Sequence, residues 1–268
     1  GIAVVADGRI ETRKKAGKLA NLEAEIQLDP LPKSTTGIGH TRWATHGAPN
    51  DVNAHPHVSE DGTIAVIHNG IIENFATLRD ELIESGVKLR SETDTEVVAH
   101  LLAAQMKVST NLGDGLRAVS QRLTGAFTLV VVHSDTPDVV VAARRNSPLV
   151  VGRGNGENFL ASDVSAFIAY TRNAIELGQD QVVEITPDSI TVTDFFGKPA
   201  DVKEYEVTWD ASAAEKGGFD LFMLKEIAEQ PKAIADTLLG RIDASGKVKL
   251  EDMNLSDDEL KSIDKVII

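Results

Sequence analysis

Short apolar strands follow one another between residues 126 and 207, and the connections between them have the length of turns. We predict strands over residues 126–133 and 139–145, joined by a turn at residues 134–138. Further short strands are predicted at residues 149–151, 158–161, 182–185, 190–193 and 205–207. Turn-length connections join antiparallel strands, because parallel strands need a long crossover. This region is therefore constrained to antiparallel sheets.

The region before residue 126 contributes helices that occur in groups instead of alternating with single strands. Apolar residues at helical spacing predict helices near residues 19–26, 72–85, 93–106 and 112–123. Strands are predicted at residues 37–43 and 64–68, and at residues 2–6 and 9–14, which form a hairpin that turns at Asp7-Gly8. Grouped helices cover the outer faces of packed sheets. We predict an α+β fold with two sheets packed at its centre.

The sequence changes character after residue 210. Residues 219–239 form a long helical pattern interrupted at Pro231, and Ser256 precedes three acidic residues in the manner of a helix N-terminus. We expect one domain over residues 1–210, and a helical linker with the start of a second domain over residues 211–268. Because both chain ends lie inside apolar runs, we also expect a fragment of a longer protein.

The chain has a formal net charge of −14 and contains no cysteine. A field of that sign repels a phosphate backbone, so we expect no nucleic-acid partner. Without cysteine the 268 residues hold no disulfide, thiolate metal site or cysteine nucleophile. The apolar runs are too short to cross a bilayer and no secretory signal opens the chain, so we expect no membrane partner and a cytoplasmic location.

Polar residues gather at the predicted strand ends and loops, in clusters over residues 40–47, 68–70 and 91–96. These clusters offer the groups that chemistry on the amide of an amino acid requires. The planar fork of Arg42 can hold an α-carboxylate, and Asp94 can pair with an α-ammonium. The side-chain NH₂ of Asn69 and the backbone N–H of Gly70 can donate to the oxygen of a tetrahedral intermediate.

Each of these residues also has a plain structural interpretation. Asn69-Gly70 is typical of a tight turn, and Asp94 suits a helix N-terminus. Arg42 suits a surface ion pair that contributes little, and Trp43 suits a core. Taken one at a time, the residues leave both interpretations open.

Histidines at positions 40, 46, 55, 57 and 68 suggest a metal site, but the spacing argues against it. No His-x-x-x-His pair or carboxylate stands at a recognised ligand spacing. Glycine-rich nucleotide-binding motifs are also absent from the sequence. We expect neither a metal nor another cofactor.

Long motifs give these residues a context. They lie at residues 37–49, 53–57, 66–74, 91–96, 146–152 and 157–163. Their order and spacing resemble those of class II glutamine amidotransferases, and look most like those of the glucosamine-6-phosphate synthases. Residues 225–231 resemble the junction that leads into the sugar-isomerising half of that family.

The resemblance implies an N-terminal-nucleophile hydrolase αββα sandwich, with two antiparallel sheets between helical layers. In that family an N-terminal cysteine, with its own α-amine as base, hydrolyses L-glutamine. The ammonia then reaches fructose 6-phosphate in a sugar-isomerase domain, and the parent enzymes are homodimers. Residues 1–210 would then be the glutaminase domain, and residues 211–268 the linker and truncated start of the isomerase domain.

Roles carry over residue by residue. The resemblance implies that Arg42 binds the glutamine α-carboxylate, that Asp94 binds its α-ammonium, and that Asn69 and Gly70 form the oxyanion hole. It also implies that Thr45 and His46 line the glutamine pocket and that Trp43 gates the ammonia path.

The family's first segment, with its cysteine, has no counterpart here. We therefore expect the 268 residues by themselves to be inactive. The alternatives are the glutaminase half of another class II amidotransferase and a non-catalytic glutamine-binding module.

Overall fold

The computed structural model of the chain describes residues 1–43, 47–208, 219–238 and 256–265. Contacts divide the chain into two compact units, Gly1–Ala211 and Ser212–Ile268. The strands of the first unit, in chain order, are β1 (Ile2–Ala6), β2 (Arg9–Arg13), β3 (Gly37–Gly39), β4 (His57–Val58), β5 (Ile64–Ile72), β6 (Gly125–His133), β7 (Val140–Arg145), β8 (Val150–Arg153), β9 (Asn158–Ala161), β10 (Asn173–Glu176), β11 (Gln181–Ile185), β12 (Ile190–Asp194) and β13 (Lys203–Glu206). Its helices are α1 (Leu19–Leu28), α2 (Phe75–Glu84), α3 (Thr95–Met106), α4 (Leu112–Arg122) and a short 3₁₀ helix at Val164–Ala166.

A six-stranded antiparallel sheet, in the order β12-β11-β7-β6-β5-β4, forms the middle of the first unit. Its central strand β6 alternates between two cores. Phe127, Leu129 and Val131 face the helices α2 to α4, while Val130 and Val132 face the other sheets. Because both faces are buried, β6 appears in the sequence as a continuous apolar run.

The second sheet layer consists of two antiparallel sheets, β2-β1-β3 and β13-β10-β8-β9. Ala3 and Val5 of the first, with Val151 and Ile175 of the second, share one core with the six-stranded sheet. The outer face of the four-stranded sheet is covered by residues such as Phe167 after the 3₁₀ helix. The predicted α+β sandwich is confirmed, with its second sheet layer divided in two.

Local predictions differ from the structure mainly around the end of β5. The turn interpretation of Asn69-Gly70 is wrong, because both residues continue β5 and pair with Thr128 and Phe127 of β6. The helix predicted from residue 72 begins at Phe75 instead. The strand predicted at residues 37–43 is only Gly37–Gly39, and β10 was not predicted. The hairpin at Asp7-Gly8 is confirmed, since the two residues have φ angles of 50° and 69°.

The second unit contains α5 (Phe222–Leu238), which includes Pro231, and α6 (Asp257–Ser262). The predicted start at Ser256 is confirmed. Its hydroxyl accepts the backbone N–H of Glu259, whose carboxylate in turn accepts the backbone N–H of Ser256. Within the described residues, no helix is long and apolar enough to cross a membrane. The assignment of residues 211–268 to a linker and isomerase start stays a prediction.

Candidate active site

The three polar clusters meet at one cavity of about 340 Å³. Residues 40–43 after β3, residues 68–71 of β5 and residues 93–95 at the start of α3 line it. The fold therefore brings together five of the predicted site residues: Arg42, Trp43, Asn69, Gly70 and Asp94. The other two, Thr45 and His46, lie outside the described residues.

His40 determines how the side-chain amide of Asn69 is oriented. The Nε2 atom of His40 is 2.7 Å from Oδ1 of Asn69. Burial lowers the pKa of His40, which favours the neutral ring. Because an amide oxygen can only accept a hydrogen bond, Nε2 is the nitrogen of His40 that carries the proton. Nε2–H then donates to Oδ1, and the Asn69 NH₂ is left as the donor group of the amide.

At Gly70 the backbone lines the cavity without a side chain, because a side chain at this position would clash with β6. Its φ is +121°, a region that favours glycine. A Cβ at this position would lie 2.0 Å from the carbonyl oxygen of Ala126 on β6. The close approach of β5 to β6 thus requires glycine next to Asn69.

The Asp94 carboxylate is buried, with 4% of the residue exposed, and joins α3 to β5. Its Oδ2 accepts the backbone N–H of Ile72 at 2.9 Å, and its Oδ1 is 3.4 Å from the Thr95 hydroxyl oxygen. Asp94 stands at the N-cap position of α3, but its side chain makes no capping hydrogen bond within the described residues. The interpretation of Asp94 as a simple helix-terminal acid does not account for this position, because the carboxylate accepts a hydrogen bond from β5 and does not cap α3.

Thr93 and Glu96 have the spacing of a capping box, but only half of it is formed. The Thr93 hydroxyl accepts the N–H of Glu96 at 3.3 Å. The Glu96 carboxylate instead accepts the N–H groups of Arg90 and Ser91, at 2.7 and 2.6 Å. Burial by itself would raise the pKa of Glu96, but these hydrogen bonds and one from His100 lower it to about 2. An ionised Glu96 thus holds the loop before α3.

Arg42 is half-buried, and its guanidinium is connected to the loop that follows it. Nη1 donates to the carbonyl of Ala48 and Nη2 to that of Gly47, each at 3.1 Å. Glu92 supports the same loop by accepting the N–H of Ala48 at 3.2 Å and the side-chain NH₂ of Asn53 at 3.0 Å. A cationic group and the anionic Asp94 therefore line one cavity.

Trp43 is 90% exposed, so its interpretation as a core residue is wrong. It lines the same cavity as Arg42 and Asp94. A large exposed aromatic at a cavity is typical of residues that cover a ligand.

Three histidines that were not predicted as site residues, His40, His55 and His68, line the cavity, and His57 lies next to His55. The rings of His40 and His55 lie 4.4 Å apart, and those of His55 and His57 lie 5.0 Å apart. Burial is the main cause that lowers the pKa of His55 well below its ordinary range and that of His57 to about 3, so these rings are neutral. Their clustering in the sequence was the available signal, but it suggested a metal. No group of three or more potential ligands that could hold a metal occurs in the part of the chain that the structure describes.

Comparisons with known proteins show what this chain is similar to. A family model described as a glutamine amidotransferase domain matches residues 40–169. The chain is 64% identical over its full length to the glutamine–fructose-6-phosphate aminotransferase [isomerizing] of Streptomyces coelicolor, and covers 44% of that relative. For the enzyme of the same name from Corynebacterium efficiens, the identity is 60% and the coverage is 100% of this chain and 43% of the relative. The chain thus spans less than half the length of these curated relatives.

Solved structures share the fold. The glutamine phosphoribosylpyrophosphate amidotransferase from B. subtilis superimposes with a TM-score of 0.57 at 24% identity, over 72% of this chain and 42% of that one. At that identity the likeness concerns the fold alone. In sequence, the chain is similar to glutamine amidotransferase domains over residues 40–169, and to the two aminotransferases named above over its full length.

Proposed function

We propose that this chain is the glutaminase domain of a glutamine–fructose-6-phosphate aminotransferase, in which L-glutamine is hydrolysed to glutamate and ammonia. The observation that carries the proposal is the convergence of Arg42, Asp94 and the Asn69-Gly70 pair on one cavity. The names of relatives that are 64% and 60% identical support fructose 6-phosphate as the acceptor of the ammonia. A cytoplasmic location and a homodimeric complete protein belong to the same proposal.

The charges of the cavity match the charges of the substrate. Glutamine carries an α-carboxylate and an α-ammonium at one end and a neutral amide at the other. Arg42 pairs with the carboxylate and Asp94 with the ammonium, so the ligand can bind in one orientation. Trp43, which is exposed beside the cavity, gates the path of the ammonia.

The Asn69-Gly70 pair acts on the amide. When a nucleophile attacks the amide carbon, negative charge develops on the carbonyl oxygen. Because His40 occupies Oδ1 of Asn69, the NH₂ of that side chain donates to this oxygen together with the N–H of Gly70. Donors that are already oriented need no rearrangement during the reaction, and this lowers the barrier.

In this proposal the nucleophile is the thiol of a cysteine, a residue type that these 268 residues do not contain. The thiol attacks the amide carbon, ammonia leaves, and water then releases glutamate from the thioester. We expect the 268 residues alone to form no glutamate from glutamine above background. We call the protein expressed from the complete natural reading frame the full natural protein. If this chain turned over glutamine as fast as the full natural protein, that result would contradict this role for a thiol.

The decisive experiment is a product assay with the full natural protein. It is incubated with glutamine, with and without fructose 6-phosphate, and glutamate and glucosamine 6-phosphate are quantified. We expect both products, in equal amounts when the sugar phosphate is present. Glutamate without amino sugar would favour the glutaminase half of another class II amidotransferase. Bound glutamine with no product at all would favour a non-catalytic glutamine-binding module.

A further inference from the structure

The Thr95 hydroxyl lies at the junction of three polar side chains beneath the cavity. Thr95 is the first residue of α3 and is fully buried. Its Oγ1 is 2.9 Å from His55 Nε2, 2.9 Å from His68 Nδ1 and 3.4 Å from Asp94 Oδ1. Neither histidine is within 26 residues of Thr95 in sequence, so only the fold brings this junction together.

The number of protons in the junction determines the direction of each hydrogen bond. A hydroxyl has one proton to donate and two lone pairs, whereas an ionised carboxylate can only accept. If Thr95 donates to Asp94, both histidines must donate to Thr95, through Nε2–H of His55 and Nδ1–H of His68. The buried Nδ1 of His55 has no partner among the described residues, which is consistent with a lone pair on that atom.

The junction also completes the support of the Asp94 carboxylate. The backbone N–H of Ile72 holds Oδ2 at 2.9 Å, and the hydroxyl lies beside Oδ1. With one donor at each oxygen, the plane of the carboxylate is set before a ligand arrives. The contact at Oδ1 is long for an O–H···O hydrogen bond, but burial strengthens it because no water competes for the carboxylate.

We infer that Thr95 is a positioning residue, whose hydroxyl, aligned by His55 and His68, orients the Asp94 carboxylate toward the α-ammonium of glutamine. This inference rests on the proposed function, because it needs an ammonium group on the substrate. Thr95 itself does not touch the reacting atoms. It acts through Asp94, so its effect should depend on whether the substrate carries an α-ammonium.

The test compares two substrates in variants of the full natural protein. Glutamine is compared with 4-carbamoylbutanoate, which has the same amide and carboxylate but no α-amino group. Thr95→Val removes the hydroxyl at nearly constant volume, and Thr95→Ser keeps it. Rates of carboxylate product formation give kcat and KM for each substrate.

We expect Thr95→Val to raise KM for glutamine about tenfold, the loss expected for one hydrogen bond near a charge, and to leave kcat/KM for 4-carbamoylbutanoate within about twofold of wild type. Thr95→Ser should preserve the wild-type preference for glutamine. If Thr95→Val does not fold, Thr95→Ala removes the hydroxyl without adding bulk and gives the same comparison.

Equal losses on both substrates, or a normal preference for glutamine in the valine and alanine variants, would overturn the inference. Wild-type protein that hydrolyses neither substrate, or an Asp94→Asn variant with normal glutamine kinetics, would instead contradict the proposed function. The two failures are therefore distinguishable.

Discussion

Arg42 and Asp94, which we call the glutamine clamp because they would bind the two charged groups of glutamine, are held in different ways. Asp94 is almost fully buried, and groups from two different elements, the Ile72 N–H and the Thr95 hydroxyl, lie beside its oxygens. Arg42 is half-buried, and its guanidinium donates to the carbonyls of Gly47 and Ala48 in its own loop. A buried charge loses more when its partner is removed, because water cannot replace the partner. If the proposed function holds, we expect the ammonium end to contribute more to glutamine recognition than the carboxylate end.

The backbone of Gly70 lies against β6, and its disruption should have the largest effect. Gly70→Ala adds a Cβ that would lie 2.0 Å from the Ala126 carbonyl oxygen, at a φ of +121°. Backbone strain and overpacking together should lower the free energy of unfolding by about 3–5 kcal/mol. Urea unfolding of the chain measures this loss.

Gly86 offers a matched control for that substitution. Its φ is also positive, at +91°, but no described heavy atom lies within 4 Å of an added Cβ. Gly86→Ala should cost only the conformational strain, about 1–2 kcal/mol. Equal losses for the two variants would show that the close approach of β5 to β6 does not require glycine.

The ammonium end of the clamp is tested by Asp94→Asn, which keeps an oxygen for the Ile72 N–H but removes the charge. Leaving a desolvated ligand charge unpaired costs about 2–5 kcal/mol. We therefore expect kcat/KM for glutamine to fall about 30-fold to several thousand-fold in the full natural protein. Transfer from free ammonia should be unchanged. Normal glutamine kinetics in a folded variant would remove Asp94 from the site.

Buried titratable side chains should also make the stability of the fold sensitive to acid. The folded-state pKa of His57 is about 3, below its ordinary value of 6.5, so between these pH values the unfolded chain binds a proton that the folded chain does not. The free energy of unfolding should then fall by up to about 1.4 kcal/mol per pH unit for this histidine as pH drops below 6.5. Glu96, with a folded pKa of about 2 against 4.5, adds a loss in the same direction between pH 4.5 and 2.

Urea unfolding between pH 7 and pH 4 measures this dependence. His57→Gln is the control, because the new side chain does not titrate. Its amide can still reach the Thr93 hydroxyl, which lies 3.0 Å from Nε2 of His57. The variant should show a shallower fall in stability with acid. If the free energy of unfolding fell with pH at the same rate in both proteins, His57 would not contribute to the acid sensitivity.

The carboxylate end is tested by Arg42→Lys and should show the smallest effect. Lysine keeps the positive charge but loses the planar fork that binds a carboxylate through two hydrogen bonds. At a half-buried position we expect KM for glutamine to rise about tenfold with little change in kcat. A loss larger than that of Asp94→Asn would reverse the order of importance of the two ends.

Many elements could be predicted because their signals are local. The Asp7-Gly8 turn, the amphipathic helix α4 and the cap at Ser256 depend on residues a few positions apart. The antiparallel sheets followed from the short connections between strands. The candidate site was predicted by resemblance of motifs, and the structure brings its described members to one cavity.

The amino-acid sequence by itself thus determined the class of fold, most of its elements and the residue types that the site requires. Tertiary structure alone decided that Asn69 and Gly70 continue a strand, because pairing with β6 outweighs their turn preference. It likewise decided that the Asp94 carboxylate bonds to Ile72, 22 residues away, instead of capping its helix. Such hydrogen bonds join distant residues that packing brings together in a dry interior, where most buried polar groups have a partner. The spacing of residues along the chain does not predict those partners.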